Sequence, residues 1–137
     1  MMSAKELVKA FYNSDLANNA NVVAEFFHEK SELHWTSSQG FTLLKYNDIK
    51  KFFKGTRESY TALRFEFTHF IEVNNTVITR HTLFANTIEN PDSEIALAHF
   101  ATIWEVKDGK LYRGYEISHQ ANENNQSSMK SYTERKI

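Results

Sequence analysis

The residues best suited to chemistry are His69, Arg80, Thr102 and Tyr115. They fall in four successive segments of alternating polar and apolar residues, and the intervening turns set them level with one another. Asp108-Gly109 is a type I′ turn signal. It pairs Val106 with Leu111, Trp104 with Arg113 and Thr102 with Tyr115. A turn at Asn74-Asn75 pairs Ile71 with Ile78 and His69 with Arg80. For the middle pair, the register that joins the apolar faces sets Arg80 beside Thr102 and Ile78 beside Trp104, and side-chain alternation then decides which face each residue takes. The result is one polar row crossing a face otherwise made of Leu63, Phe65, Phe67, Ile71, Ile78, Phe100 and Trp104. Polar groups gathered within an apolar surface are the usual lining of a small-molecule pocket.

The chemistry such a row would support is proton transfer beside a carbonyl. An arginine holds a carboxylate, enolate or phosphate through its planar fork. Histidine titrates near neutrality, which suits His69 to the role of base. Tyr115 and Thr102 are placed to polarise a carbonyl, while Trp35 and Trp104 read as pocket wall. Each residue also has a plainer reading. Arg80 would pair with a carboxylate such as Glu25, His69 would satisfy a backbone group, and Tyr115 would be an amphipathic core residue. Catalysis and simple binding of an apolar acid both fit the row, as does a protein-interaction domain that uses its sheet.

Other polar clusters carry less. His81, His99 and Glu116 fall on the opposite, mixed face together with Phe70, Leu83, Leu97 and Ile103. Their adjacent-strand spacing suits a hydrogen-bond network at a subunit interface better than a metal site, so a homodimer through that outer face is expected and a metal is not. His34 alternates with Leu33 and Trp35 and faces away from them. There is no Cys, no nucleophile elbow, no phosphate loop and no dinucleotide fingerprint, so no cofactor is expected.

These residues need elements to hold them. Ser3 and Glu6 form a capping box that opens a helix, with Leu7, Val8, Phe11 and Leu16 as its apolar stripe. A second short helix carries Val22, Val23, Phe26 and Phe27. A strand over 31–36 and an extended piece over 41–44 precede a third helix, capped by Asn47 and stopped by Gly55. Strands over 61–73, 76–88, 94–107 and 110–121 follow as an antiparallel meander. One domain over 1–121 and a flexible polar tail over 122–137 are predicted.

The 137 residues suffice for a single core. A net charge of −1 offers no field to attract nucleic acid or an anionic membrane. The N-terminal stretch lacks the apolar core of a signal peptide, and no run approaches the length of a membrane span, so a cytoplasmic protein is expected. Aromatics reach 14%, enough to line an interior with rings.

Three stretches carry a resemblance over about 3–120. They are Val8-Lys9-Ala10-Phe11-Tyr12, Val23-Ala24-Glu25-Phe26-Phe27-His28-Glu29, and the hairpin Trp104-Glu105-Val106-Lys107-Asp108-Gly109-Lys110-Leu111. The layout resembles the nuclear transport factor 2-like superfamily, which includes SnoaL-like and ketosteroid-isomerase-like proteins. The resemblance implies an α+β, cone-shaped fold, in which a strongly curved antiparallel sheet and three N-terminal helices cover a pocket. Members include isomerases, polyketide cyclases, epoxide hydrolases, dehydratases and binding proteins without catalysis. Where ketosteroid isomerases keep a basic Asp at the end of the first strand, this chain has Trp35, and where they keep a protonated Asp it has Thr102. Their helix Tyr falls near Phe11, with Tyr12 one step away. Steroid isomerisation is therefore not expected, and Tyr12, Trp35, Thr102 and Trp104 are assigned to ligand binding. His119 lies near the acidic base of SnoaL-like cyclases.

Overall fold

The computed structural model describes residues 2–121 and 130–132. The helices are α1 (Ala4–Tyr12), α2 (Val22–Phe26) and α3 (Tyr46–Ser59). The strands are β1 (Phe27–Ser37), β2 (Gly40–Lys45), β3 (Tyr60–Val73), β4 (Thr76–Thr87), β5 (Glu94–Lys107) and β6 (Lys110–Gln120). Most of the polar tail expected from residue 122 lies outside the described residues. Among the described residues, no helix is long and apolar enough to cross a membrane.

Local signals decide the helix ends. The Ser3 hydroxyl accepts from the Glu6 amide at 3.1 Å, and the Glu6 carboxylate accepts from the Ser3 amide at 2.9 Å, so both partners of the capping box are satisfied. The third helix departs from expectation. Its cap is Lys45, whose amide donates to the Asp48 carboxylate at 3.0 Å, and the helix runs through Gly55 to Ser59.

The six strands form one curved sheet in the order β2-β1-β6-β5-β4-β3. All neighbouring pairs are antiparallel except β1 and β6, which run parallel. The helices cover one face. Val8, Phe11 and Tyr12 of α1, Phe26 of α2 and Phe53 of α3 join Phe27, Leu33, Phe70 and Trp104 in the core. Phe11 is its hub, with edge-to-face contacts to Phe26, Phe27, Phe53 and Trp104.

The turns are as expected and the registers beyond them are not. Asp108 (φ 56°) and Gly109 (φ 73°) both adopt the left-handed conformation that a type I′ turn requires. Val106 faces Leu111, but the register then shifts by one and Trp104 faces Gly114, Thr102 faces Glu116 and Phe100 faces Ser118. Similar shifts occur in β3/β4 around Thr68 and in β4/β5 around Leu97. A bulge adds one residue to one strand, so every side chain beyond it changes face. His69, Arg80 and Tyr115 consequently lie on the outer face, while Thr79, His81 and Glu116 lie on the inner face. Ile71 and Ile78, expected in the core, are exposed outside, as is Ile117, and Phe70, expected outside, is buried in the core.

Gly114 is where this register is enforced. A Cβ there would lie 2.7 Å from Leu33 Cδ1 and 2.7 Å from Trp104 Cζ3. The Trp104 indole packs closely over Gly114 because that partner residue has no side chain. Gly114→Ala is expected to cost about 1–3 kcal/mol through overpacking, read as a lower urea midpoint with an unchanged slope.

Candidate functional site

Between the inner face of the sheet and the helices lies a cavity of about 640 Å³. Aromatic and aliphatic side chains line most of it, among them Phe11, Phe27, Phe52, Phe65, Phe100 and Trp104. The polar groups on or just behind its wall are few, and each is placed by one element.

Glu116 projects from β6 into this cavity. Its carboxylate accepts a 2.8 Å hydrogen bond from the Thr102 hydroxyl, which lies opposite it on β5. Among the described residues no cation pairs with it. Burial pushes the Glu116 carboxyl up to about 7, and the Thr102 hydrogen bond opposes the shift only in part. Glu116 thus sits close to its protonation midpoint near neutral pH.

Tyr12 ends α1 and reaches the same region. Its phenolic oxygen accepts from the Trp104 indole N–H at 3.0 Å and lies 3.3 Å from the Thr79 hydroxyl. Burial first, and the nearby Glu116 charge second, raise its pKa well above the usual tyrosine value. Tyr12 is therefore a neutral hydroxyl. Trp35 on β1 donates its indole N–H to the Ser118 hydroxyl at 2.8 Å and packs edge-on against Phe52. Of the residues assigned to ligand binding, Tyr12, Trp35 and Trp104 line the cavity, and Thr102 is buried behind Glu116.

The three residues read as catalytic stand elsewhere. His69 meets its neighbour Thr68 on the outer face, ring nitrogen to hydroxyl at 2.9 Å. The Arg80 guanidinium donates to the Thr68 hydroxyl at 3.1 Å and the Ser131 hydroxyl at 2.8 Å, with its carbon 3.8 Å from the centre of the Tyr132 ring. Tyr115 packs on His34, with ring centres 5.0 Å apart. His69 does pair with Arg80 across β3 and β4, as expected, but on the face away from the cavity. Glu25, suggested as the partner of Arg80, accepts instead from the Asn19 side chain. The cluster of His81, His99 and Glu116 is also divided, because His99 lies outside against Thr82 and Tyr132.

Glu116 and His81, together with Leu83 and Leu97, line the cavity although sequence reasoning set them on the outer face. One signal pointed to Glu116. Gly114 is the only glycine in β6, and a tryptophan that must pack close over its neighbour strand prefers a glycine to an arginine. Aligning Trp104 with Gly114 brings Glu116 level with Thr102. Among the described residues, no group of three His, Asp or Glu converges as metal ligands would.

Comparison with known proteins is consistent with this geometry. The SnoaL-like domain profile matches residues 7–114. No functionally curated protein matches the sequence. Among solved structures, the chain is similar to IdmH, a putative polyketide cyclase from Streptomyces antibioticus. The TM-score is 0.68 at 11% identity, over 85% of this chain and 92% of that one. It is similar to a putative SnoaL-like polyketide cyclase from Shewanella denitrificans, with a TM-score of 0.66 at 9% identity over 95% and 96% of the two chains. It is also similar to an LEH-like epoxide hydrolase from M. tuberculosis, with a TM-score of 0.65 at 14% identity over 84% and 81%. At such identities the likeness establishes the nuclear transport factor 2-like fold.

Proposed function

The chain belongs to the SnoaL-like domain family, and on that premise we propose that its cavity carries out proton transfer on an apolar, carbonyl-containing small molecule, as an isomerase, cyclase or dehydratase does. The observation that carries this reading is Glu116, a part-buried carboxyl with one neutral partner, facing an aromatic cavity. A base works best when its pKa lies near the working pH, because it is then both available and strong enough to accept the proton. In its ionised form Glu116 takes a proton from the carbon next to the carbonyl. The electron pair of that C–H bond moves toward the carbonyl oxygen. The Tyr12 hydroxyl, already oriented by the Trp104 N–H, is the available donor to the oxyanion. Glu116 then returns the proton to a second carbon of the substrate. Thr102 positions Glu116 and lowers its pKa toward the useful range.

The test is deuterium uptake at the α-carbons of 2-tetralone in D2O, followed by NMR. The wild-type rate is expected to rise through a midpoint near pH 7 as Glu116 ionises. Glu116→Gln is expected to lose at least ~10²-fold of the catalysed rate. Equal exchange in the two proteins overturns the proposal, and so does binding of the probe without any exchange.

We also propose that two copies pair through the outer face of the sheet. The support is one apolar row, Leu43, Tyr115, Ile103, Ile78 and Ile71, interrupted only by His34 and running level across all six strands.

A further inference from the structure

Among the described residues, His81 is the one buried polar side chain of the cavity wall without a hydrogen-bond partner. It projects inward from β4 and is 2% exposed. Its Nδ1 is fully enclosed without a hydrogen-bond partner, and no hydrogen bond reaches the ring from the described residues. The ring cannot turn away to find one. It stacks on Phe100 at 5.0 Å and 14°, and Phe65, Phe67 and Tyr12 close around it at 5.6, 5.1 and 5.1 Å. A phenylalanine would fill this aromatic cage without leaving a polar atom bare. An imidazole kept there is explained by a partner that arrives with the ligand.

The surroundings define that partner. Burial holds the imidazole neutral by pushing its pKa down to about 3, so one nitrogen donates and the other accepts. Among the described residues no carboxylate or cation contacts the ring. A neutral hydroxyl, which both donates and accepts, matches either tautomer, whereas a carboxylate or ammonium would enter the cage uncompensated. The distance is also set by the sheet. His81 faces Phe100, which faces Ser118, two residues beyond Glu116. Two strand spacings across and two residues along place the backbones roughly 12 Å apart. With both side chains reaching into the concave face, the groups they meet on a ligand lie on the order of 8–10 Å apart, about the span of two or three fused rings.

We propose that His81 is the specificity-determining residue of the cavity and recognises a neutral hydroxyl carried by a fused-ring ligand at the end remote from the carbonyl beside Glu116. The proposal rests on the proton-transfer reading only for the carbonyl end. The hydroxyl subsite stands or falls separately, because it is measured by binding.

The experiment compares 2-tetralone, 6-hydroxy-2-tetralone and 6-methoxy-2-tetralone by calorimetry. Wild type is expected to bind the 6-hydroxy probe at least ten-fold more tightly than the other two. His81→Phe is expected to remove that preference while still binding 2-tetralone, and His81→Gln, which keeps a hydrogen-bonding group, to retain part of it. Glu116→Gln is expected to keep the preference intact, which separates this result from failure of the exchange assay. Should His81→Phe not fold, the imidazole 15N resonances of wild type provide the reading, with His81 shifting for the hydroxyl probe and not for the methoxy one. No preference in wild type, a preference that survives His81→Phe, or 15N shifts identical for all probes overturns the proposal.

Discussion

Relative to wild type, Glu116→Gln is expected to become steadily more stable as pH rises from 4.5 to 7, whereas His81→Phe becomes steadily less stable from pH 3 to 6.5. The reason is opposite proton linkage at two groups of one cavity, His81 buried and Glu116 part-buried. The folded His81 pKa is lowered from 6.5 to about 3 by burial. Its contribution is present above 6.5 and is lost as pH falls toward 3, because the unfolded chain binds a proton that the folded one refuses. The folded Glu116 pKa is raised from 4.5 to about 7. Its contribution is present below 4.5 and is lost as pH rises toward 7, because the folded chain keeps a proton that the unfolded one releases. At 1.36 kcal/mol per pKa unit, the full spans are about 5 kcal/mol for His81 and about 3 kcal/mol for Glu116. Between pH 4.5 and 6.5 these two slopes oppose and cancel one another in wild type. Each substitution removes one slope and exposes the other. Other titrating groups, such as Glu94 beside Arg64, are common to all three proteins and drop out of the difference curves. Urea unfolding at half-unit steps of pH is the measurement. Difference curves that are flat for both variants would show that neither group is as enclosed as the structure has it.

Ile103→Glu is expected to convert a dimer into a monomer. Ile103 sits near the middle of the outer apolar row, whose members Leu43, Tyr115, Ile103, Ile78 and Ile71 are 39 to 45% exposed. Covering what remains exposed contributes about 1 kcal/mol for each such side chain. Five on each of two copies give about 10 kcal/mol, the same size as the estimated 4–15 kcal/mol loss of freedom on association. A balance that close is tipped by a carboxylate buried at its centre. Ser131 and Tyr132 cover the neighbouring ground over Arg80 and His99, leaving the isoleucine row open. Light scattering at micromolar concentration should give about twice 16.0 kDa for wild type and 16.0 kDa for the variant. Phe70→Glu is a different control, because Phe70 is buried among Phe67 and Tyr12 and should unfold the chain rather than split a dimer. A wild-type mass of 16.0 kDa at every concentration would refute pairing, and a dimer indifferent to Ile103→Glu would refute this surface.

What the sequence by itself determined are the features set by residues within a few positions of one another. The Ser3–Glu6 capping box and the Asp108-Gly109 turn are contests between the backbone and adjacent side chains, and their outcome is local. The fold was legible for a related reason. Helix and strand periods and the Trp104–Leu111 hairpin leave few arrangements that bury so many aromatics. Tyr12, Trp35 and Trp104 fall on the cavity wall because each sits at or near the end of its element or beside a turn, where little positional error accumulates. The choice of His69, Arg80 and Tyr115 over His81 and Glu116 was decided only by tertiary structure. Both faces of the meander carry large apolar residues, so alternation could not say which face was inner. The answer depended on register shifts that move whole strand segments by one residue. One of these is enforced across strands, by an indole that has room only over Gly114 and whose N–H is held by a tyrosine 92 residues away. Contacts of that separation leave no periodic trace in the chain, and so the face that holds the chemistry appeared only when the core was packed.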